Sequence, residues 1–571
     1  SSHFASISGA GPESVPFDGK RFGKVRVEMG NAQYLAQTYC TPDGCFVFAN
    51  GGIFAACGGS RTQRKRYAVE RTEKPDLTKA WHPTCGPIVG CPLGARKFRI
   101  WARGENSKYR GQILACTLIV QVYSDPEAQK AAGLPQLARM DVQNDFAAAV
   151  TVLAPPGETM YYKCGVVEHH PSSRIEPGAV KLGPLRVRTC RVPPCGSSGL
   201  ADTTSVVFGS CKYVGKDALR EPILEHKADV IFETIQAQID AGVATDALFM
   251  LGDNIYADDL NVIDADDTLD EFTYNYRNSF NTPAHAKLMA SLPTVMQCDD
   301  HDFWNNFCKD QAFRNGFSPD AAEADPVYCK KYLAARNAYD IYTKMLNPSW
   351  GHQRCWFTCE VGALHVFVLD IRLERRNDFK PRIILGDFQL SSLKAWLSSR
   401  PAAGVKVVAT AVPFLPEMHT PDPEPHGSDT WNGYPEQRDE IFQYIRTHCI
   451  RNVVFVSGDL HCGFSCAVDC GGVRVLQLVA SPWYYPFGKK GANILPLKVG
   501  DVYTTLADGT EIRLTHMSHL VEEDMFGRLS VDSNDICFDI SSRQLYDGSP
   551  RKLLHGCWPI DLGNKTSYGG R

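Results

Sequence analysis

The feature that most constrains this chain is an apolar run that stops at a chelating turn. Residues 247–258 read ALFMLGDNIYAD. From Ala247 to Leu251 no polar residue interrupts the run, the pattern of a strand buried on both faces. Gly252, Asp253, Asn254, Ile255 and Tyr256 then form a turn that carries a carboxylate and, three residues later, a phenol. Open α/β sheets place their ligands at the carboxyl ends of their strands. An Asp and a Tyr on one tight turn reach a single cation. For the turn alone the competing reading is an Asp-Asn turn whose side chains bond the neighbouring backbone.

The surrounding rhythm favours the first reading. From about residue 196, apolar strands (205–208, 247–251, 294–296, 364–369, 405–410 and 452–456) alternate with amphipathic segments. The segment 222–241 opens on Pro222, sets Leu224, Ala228, Ile231, Ile235 and Ile239 on one face, and meets Gly242 at its end, which predicts a helix. Segments 389–400 and 436–449 read the same way, and strands return over 499–547. Residues 308–359 and 415–430 interrupt the pattern and read as insertions or long loops near the site.

Upstream, 97–102, 116–123 and 148–153 alternate as half-buried strands do. They lead into a Pro-Gly corner and a Tyr-rich strand at 153–163, as in immunoglobulin-like and fibronectin-like sandwiches. The division expected is a Cys- and Gly-rich β extension (1–90), a β-sandwich (91–195) ending at the Pro-Pro-Cys-Gly linker of 192–199, and an α/β domain (196–571). The basic run 61–66 reads as a solvated loop, because no aromatic residues interleave with it.

With 571 residues the chain exceeds one core. Its formal net charge of −4 gives no general attraction to nucleic acid or acidic membranes, and no run approaches the ~18–20 apolar residues of a membrane span. A monomer is expected. The start Ser1-Ser2-His3-Phe4 lacks Met and an apolar signal core and reads as a processed or truncated end. Twenty-one cysteines, mostly in loop-like or strand-edge contexts and without paired zinc-ligand spacing, predict a disulfide-bearing protein of a secreted, extracellular or periplasm-like compartment. The sequon at 564–566 is compatible with that. An odd total leaves at least one thiol over.

Four strands end alike. Phe208 precedes Gly-Ser-Cys211, Leu251 precedes Gly-Asp253-Asn-Ile-Tyr256, Met296 precedes Gln-Cys-Asp299-Asp300-His301-Asp302, and Val456 precedes Ser-Gly-Asp459-Leu-His461. Strand ends of one sheet lie along one edge, so these groups converge. So many carboxylates share a pocket ionised only if cations offset their repulsion. Two cations with Asp253 as the bridge give the clamp used in phosphoester hydrolysis. Thiolate and phenolate at Cys211 and Tyr256 favour ferric iron, and Asp300 and Asp459 suit a harder ion such as Ca²⁺, Mg²⁺ or Mn²⁺. His301 and His461 are left as ligand, phosphate contact or proton donor. A single unpaired thiol reserved for metal at Cys211 would also account for the odd cysteine count.

These motifs, in order, resemble those of the PhoD-like alkaline phosphatase (alkaline phosphatase D) family, related to the purple acid phosphatases. Further likeness lies in Leu369-Asp-Ile-Arg372, in Leu385-Gly-Asp-Phe-Gln389 with Trp396, and in Asp429-x-Trp-x-x-Tyr-Pro-x-x-Arg438. The likeness covers roughly residues 95–540. It implies a fibronectin-like β-sandwich followed by a four-layer αββα metallophosphatase domain. It also implies ferric iron held by Cys211, Asp253 and Tyr256, and calcium (alternatively Mg²⁺, Mn²⁺, Zn²⁺ or Co²⁺) with Asp300, Asp459 and His461 completing the cluster. His301 would face phosphate, and Asn254, His301 and Arg372 are the substrate-binding candidates. Arg372 and Arg438 either bind phosphate oxygens or pair with Asp370 and Asp429. Two departures stand out: Asp302 where the family usually has Glu, and Cys298 where it often has Trp. Cys298 and Cys462 thereby add thiols beside the site that could alter metal preference or form local disulfides.

The expectation is a phosphoric ester hydrolase of alkaline phosphatase type, releasing phosphate from small phosphomonoesters by attack of a metal-bound hydroxide or oxide. The alternatives are a phosphodiesterase or phospholipase-D-type activity, and a non-catalytic binding protein on the same scaffold.

Overall fold

The apolar runs assemble into two large sheets in the computed structural model. It describes residues 68–94, 96–194, 203–216, 221–258, 265–309, 326–377, 381–415, 429–486, 498–544 and 550–562, together with six strands within the first 57 residues. The first sheet has nine strands, in the order Ala147–Leu153, Lys97–Arg103, Cys85–Pro92, Thr294–Met296, Ala247–Met250, Thr204–Gly209, Met525–Val531, Asp535–Gln544 and Pro550–Pro559. Its middle three are parallel, with Phe208 opposite Phe249 and Phe249 opposite Val295. The second has eight, in the order Phe357–Val361, Leu364–Val368, Val405–Ala409, Val453–Ser457, Arg474–Val479, Phe464–Asp469, Glu511–Met517 and Val502–Thr505.

Three apolar cores fix how these sheets are covered. Val206, Phe208, Phe249 and Val295 of the first sheet share a core with Val366, Val407, Val454 and Leu476 of the second. The other face of the first sheet, through Val207, Leu248, Met250 and Met296, meets Ile231, Phe232, Tyr276, Tyr339 and Tyr342 of helices. The other face of the second, through Phe367, Val408 and Phe455, meets Leu393, Trp396, Ile441 and Phe442. Alternate residues of each strand thus enter different cores, which is why these strands are apolar throughout.

The helix expected over 222–241 spans Glu225–Asp240, with Ala228, Ile231 and Ile235 buried. Those expected over 389–400 and 436–449 are Asp387–Ser399 and Pro435–Thr447. Helices Leu269–Phe280 and Pro283–Ser291 were not anticipated. Within 308–359, read as loop, lies the helix Pro326–Tyr342. Its Tyr332, Ala335, Tyr339 and Tyr342 recur at spacings of three and four and pack on the aromatic core.

The strands expected at 97–102 and 148–153 join the nine-stranded sheet, and Cys85–Pro92 pairs with Thr294–Met296 through Gly90 and Thr294. Residues 115–123 form a separate four-stranded sheet with Gln136–Met140, Thr159–His169 and Arg188–Arg191. Phe98, Ile100 and Val150 of one sheet and Leu118, Met140 and Tyr162 of the other share a core. The first 57 residues contribute an antiparallel sheet with Cys40 opposite Cys45. The basic run 61–66, linker residues 195–199, most of 415–430 and the sequon lie outside the described residues.

Among the cysteines whose side chains are described, one disulfide joins Cys537 and Cys557. Cys85, Cys91, Cys116, Cys164, Cys190, Cys359 and Cys466 are buried thiols on strands rather than in loops. They act as small apolar side chains. No described helix is long and apolar enough to cross a membrane.

Candidate metal centre

The carboxyl ends of three adjacent strands of the first sheet and one strand of the second meet at one edge. Cys211, Asp253 and Asp299–Asp302 follow Thr204–Gly209, Ala247–Met250 and Thr294–Met296, while Asp459 and His461 follow Val453–Ser457. Two glycines permit this closeness. A Cβ on Gly252 (φ +111°) would stand 2.5 Å from the Asp299 Cβ, and one on Gly458 would stand 1.9 Å from the Ser210 Oγ. Cys211, Asp253, Asp459 and His461 all have positive φ, between 48° and 64°. L-residues held there concentrate at functional sites.

Three sets of donor atoms lie close enough to hold cations: Cys211, Asp253 and His461; Asp253, Asp300 and His301; and Asp299, Asp300 and Asp459. Asp253 belongs to the first two sets and Asp300 to the last two, so a carboxylate bridge between neighbouring ions is available. The Cys211 Sγ stands 3.4 Å from Asp253 Oδ2, with the hydroxyls of Ser210 and Ser481 at 3.0 and 3.2 Å. Tyr256 Oη stands 3.2 Å from His461 Nε2. Asp300 Oδ2 accepts the Asn306 N–H at 2.6 Å.

The electrostatics fit cations. Burial, reinforced by the Asp253 and Asp459 carboxylates, pushes the Cys211 thiol up. Burial raises Asp253, Tyr256 and Asp299 well above their ordinary values, and neighbouring anions add to it. Asp299 Oδ2 and Asn254 Oδ1 are buried with no hydrogen-bond partner among the described residues. A buried thiol, phenol and carboxyls pushed toward their protonated forms, with an orphaned oxygen on Asp299, are groups that cations complete.

His301 is oriented by Asp258, whose carboxylate oxygens lie 2.8 and 3.0 Å from Nδ1. Burial alone would lower its pKa. Asp300, Asp258 and Asp253 outweigh that and raise it to about 10. Its ring packs on Tyr256 at 4.4 Å, and that of His461 stacks on Tyr485 at 3.7 Å. Asn254 donates to the Gln297 carbonyl at 2.9 Å. Asp302 is not among the donor sets. It accepts from Tyr276 Oη at 3.0 Å and from the Asp299 N–H at 2.9 Å, and burial raises it to about 6.

The two arginines part company. Arg372 is fully buried: its Nε donates to Asp299 Oδ1 at 2.5 Å, its Nη1 to Asp429 Oδ1 at 2.6 Å, and its Nη2 lies 3.4 Å from Asp300 Oδ1. Arg375 shares Asp429 at 2.5 Å. The Arg372 side chain thus stands among three carboxylates. Its link to Asp370 is through its backbone N–H. Arg438 makes its side-chain hydrogen bonds to Asp439, Asn432, Tyr503 and Thr504, not to Asp429 and not to the cluster. Position on the helix Pro435–Thr447 turns it toward the strand Val502–Thr505 instead.

Sequence reasoning missed Asp299 as a donor, because an Asp-Asp before a short turn also reads as a cap. It missed Asp258 because nothing in the chain order pairs it with His301. Cys298 is a buried thiol rather than half of a local disulfide.

Comparison with known proteins agrees with the motif reading. The family model described as PhoD-like phosphatase matches residues 227–482, a span holding every donor named above except Cys211. Alkaline phosphatase D of Bacillus subtilis (strain 168) is 27% identical over 214 residues, which are 34% of this chain and 35% of that relative. The match thus spans about a third of the relative's length. A solved structure described as that of PhoD superposes with a TM-score of 0.60 at 17% identity, covering 86% of this chain and 94% of its own. That likeness is one of fold, a mixed α/β architecture with several sheets.

Proposed function

We propose, taking residues 227–482 as a PhoD-like phosphatase domain, that this protein is a metal-dependent hydrolase of small phosphomonoesters. The observation that carries the reading is Asp253, common to two adjoining donor sets at the meeting edge of two sheets. Cys211, Asp253 and Tyr256, with His461 beside them, would hold ferric iron, since thiolate and phenolate suit a strongly acidic ion. Asp253 and Asp300, with Asp299 and Asp459 beside them, would hold calcium or another hard divalent ion. Bound cations would supply Lewis-acid polarisation of the ester and of the attacking water.

The chain's own residues do the rest. Asp258 occupies His301 Nδ1, so Nε2 is the atom left to meet a phosphate oxygen or to protonate the leaving group. Arg372 offsets the charge of Asp299 and Asp300 and holds their side chains in place. Arg438 has a structural role, pinning the helix Pro435–Thr447 to the strand Val502–Thr505. For the architecture we infer a fibronectin-like β-sandwich over about 91–195, its first strand reaching back to Cys85, and a four-layer αββα domain over 196–571. The Cys537–Cys557 disulfide supports an oxidising compartment.

The test is hydrolysis of an aryl phosphate against a bis-aryl phosphate by protein reconstituted with iron and calcium. Preference for the monoester supports the proposal. Strong preference for the diester replaces it with a phosphodiesterase, and inactivity toward both leaves a binding protein.

A further inference from the structure

We propose that the surface disulfide Cys537–Cys557 is an exchange site for low-molecular-weight thiols, with Cys557 as the departing sulfur and His555 as the group that receives its charge. The proposal is independent of the metal centre. Strands Asp535–Gln544 and Pro550–Pro559 close one end of the nine-stranded sheet. Their register sets Cys537 opposite Cys557 and Asp539 opposite His555. Residues two apart on a strand share a face, so the two cross-strand pairs lie side by side on one surface. His555 Nδ1 lies 2.6 Å from Asp539 Oδ1, which also takes Lys552 Nζ at 2.6 Å. His555 Nε2 stands 3.5 Å from Cys557 Sγ. The His555 side chain is 54% exposed, Cys557 is exposed and Cys537 half-buried. A solvent thiol can therefore reach this bridge.

A sulfur facing an imidazole that a carboxylate holds is the arrangement that eases thiolate departure. The two ring nitrogens of His555 face Asp539 on one side and the sulfur on the other. In the exchange, an incoming thiolate attacks Cys537 Sγ. A bond forms between the two sulfurs, the Cys537–Cys557 bond breaks, and its electron pair leaves on Cys557, which the imidazolium neutralises. A second thiolate attacks the incoming sulfur of that mixed disulfide and releases Cys537. The protein disulfide has then gained two electrons and the two small thiols have become one disulfide. Departure from Cys557 rather than Cys537 follows from where the imidazole stands.

The experiment exposes the native full-length protein to reduced glutathione, quenches it by alkylation, and locates the adducts by mass spectrometry. The expected result is glutathione on Cys537 and alkylation on Cys557, exceeding the reverse pattern roughly fivefold. In His555→Asn the adduct forms roughly fivefold more slowly and the two patterns become equal; Asp539→Asn moves both readouts the same way by less. An unchanged melting temperature shows that the variants remain folded. Equal capture on the two sulfurs in the wild type, capture mainly on Cys557, an unaltered rate in His555→Asn, or no adduct before unfolding would each overturn the proposal.

Discussion

The Nε of Arg372 meets Asp299 Oδ1 at 2.5 Å with both side chains fully buried. One guanidinium therefore bridges Asp299 and Asp429, the latter shared with Arg375, and stands 3.4 Å from Asp300. Removing it leaves carboxylates buried without their counter-charge, a loss of about 3–5 kcal/mol for a buried pair broken on one side. Arg372→Met should lower the urea midpoint of the chelated protein accordingly, and saturating iron and calcium should restore part of it. A midpoint equal to wild type would show that Arg372 is not the counter-charge.

Arg438 should behave differently. Its bonds go to Asp439, Asn432, Tyr503 and Thr504, so Arg438→Ala should cost about 1–3 kcal/mol of stability and leave kcat within about threefold. Steady-state kinetics at a temperature where the variant is folded decide it. A hundredfold fall in kcat would return Arg438 to the site.

Asp258→Asn should lower kcat roughly 10–100-fold, the usual cost of losing a group that orients a functional His. Metal content should stay at the wild-type level, because Asp258 is in none of the three donor sets. If activity and metal are lost together, Asp258 holds the cluster rather than the His301 ring.

Stability against pH reports on the anions. Burial and neighbouring carboxylates raise Asp253 and Asp299, and burial raises Asp302 to about 6. A carboxyl raised in the folded state stabilises the fold while protonated. That contribution is complete below the unfolded value of about 4 and is lost as pH rises through the folded value. For Asp302 the window is therefore about pH 4 to 6, and for Asp253 and Asp299 it extends higher. Chelated protein should lose urea resistance from pH 4.5 to pH 7.5, while metal-loaded protein loses much less. Parallel curves with and without chelator would show that cations do not relieve these carboxyls.

Much of this was legible in the chain because the strands that carry the donors are apolar on both faces. Leu248 and Met250 enter one core while Ala247, Phe249 and Leu251 enter another, so the run is unbroken and its polar stop is conspicuous. The helix Pro326–Tyr342 was not legible, because its buried face is built mainly from Tyr and Ala, with Ile341 the one large aliphatic residue on it among the described residues. The strands near residues 97–103 and 147–153 were legible as strands but not as part of the nine-stranded sheet, since alternation tells which face is buried and not which neighbour pairs. Asp258 and His301 are 43 residues apart, and no local pattern joins them.

Metal content per chain tests the central claim most directly. Elemental analysis of protein purified in the presence of iron and calcium should find two ions per chain in the wild type. Asp253→Asn, which removes the carboxylate shared by adjoining donor sets, should lose both. Wild-type protein without stoichiometric metal, or Asp253→Asn retaining both ions, would contradict the account.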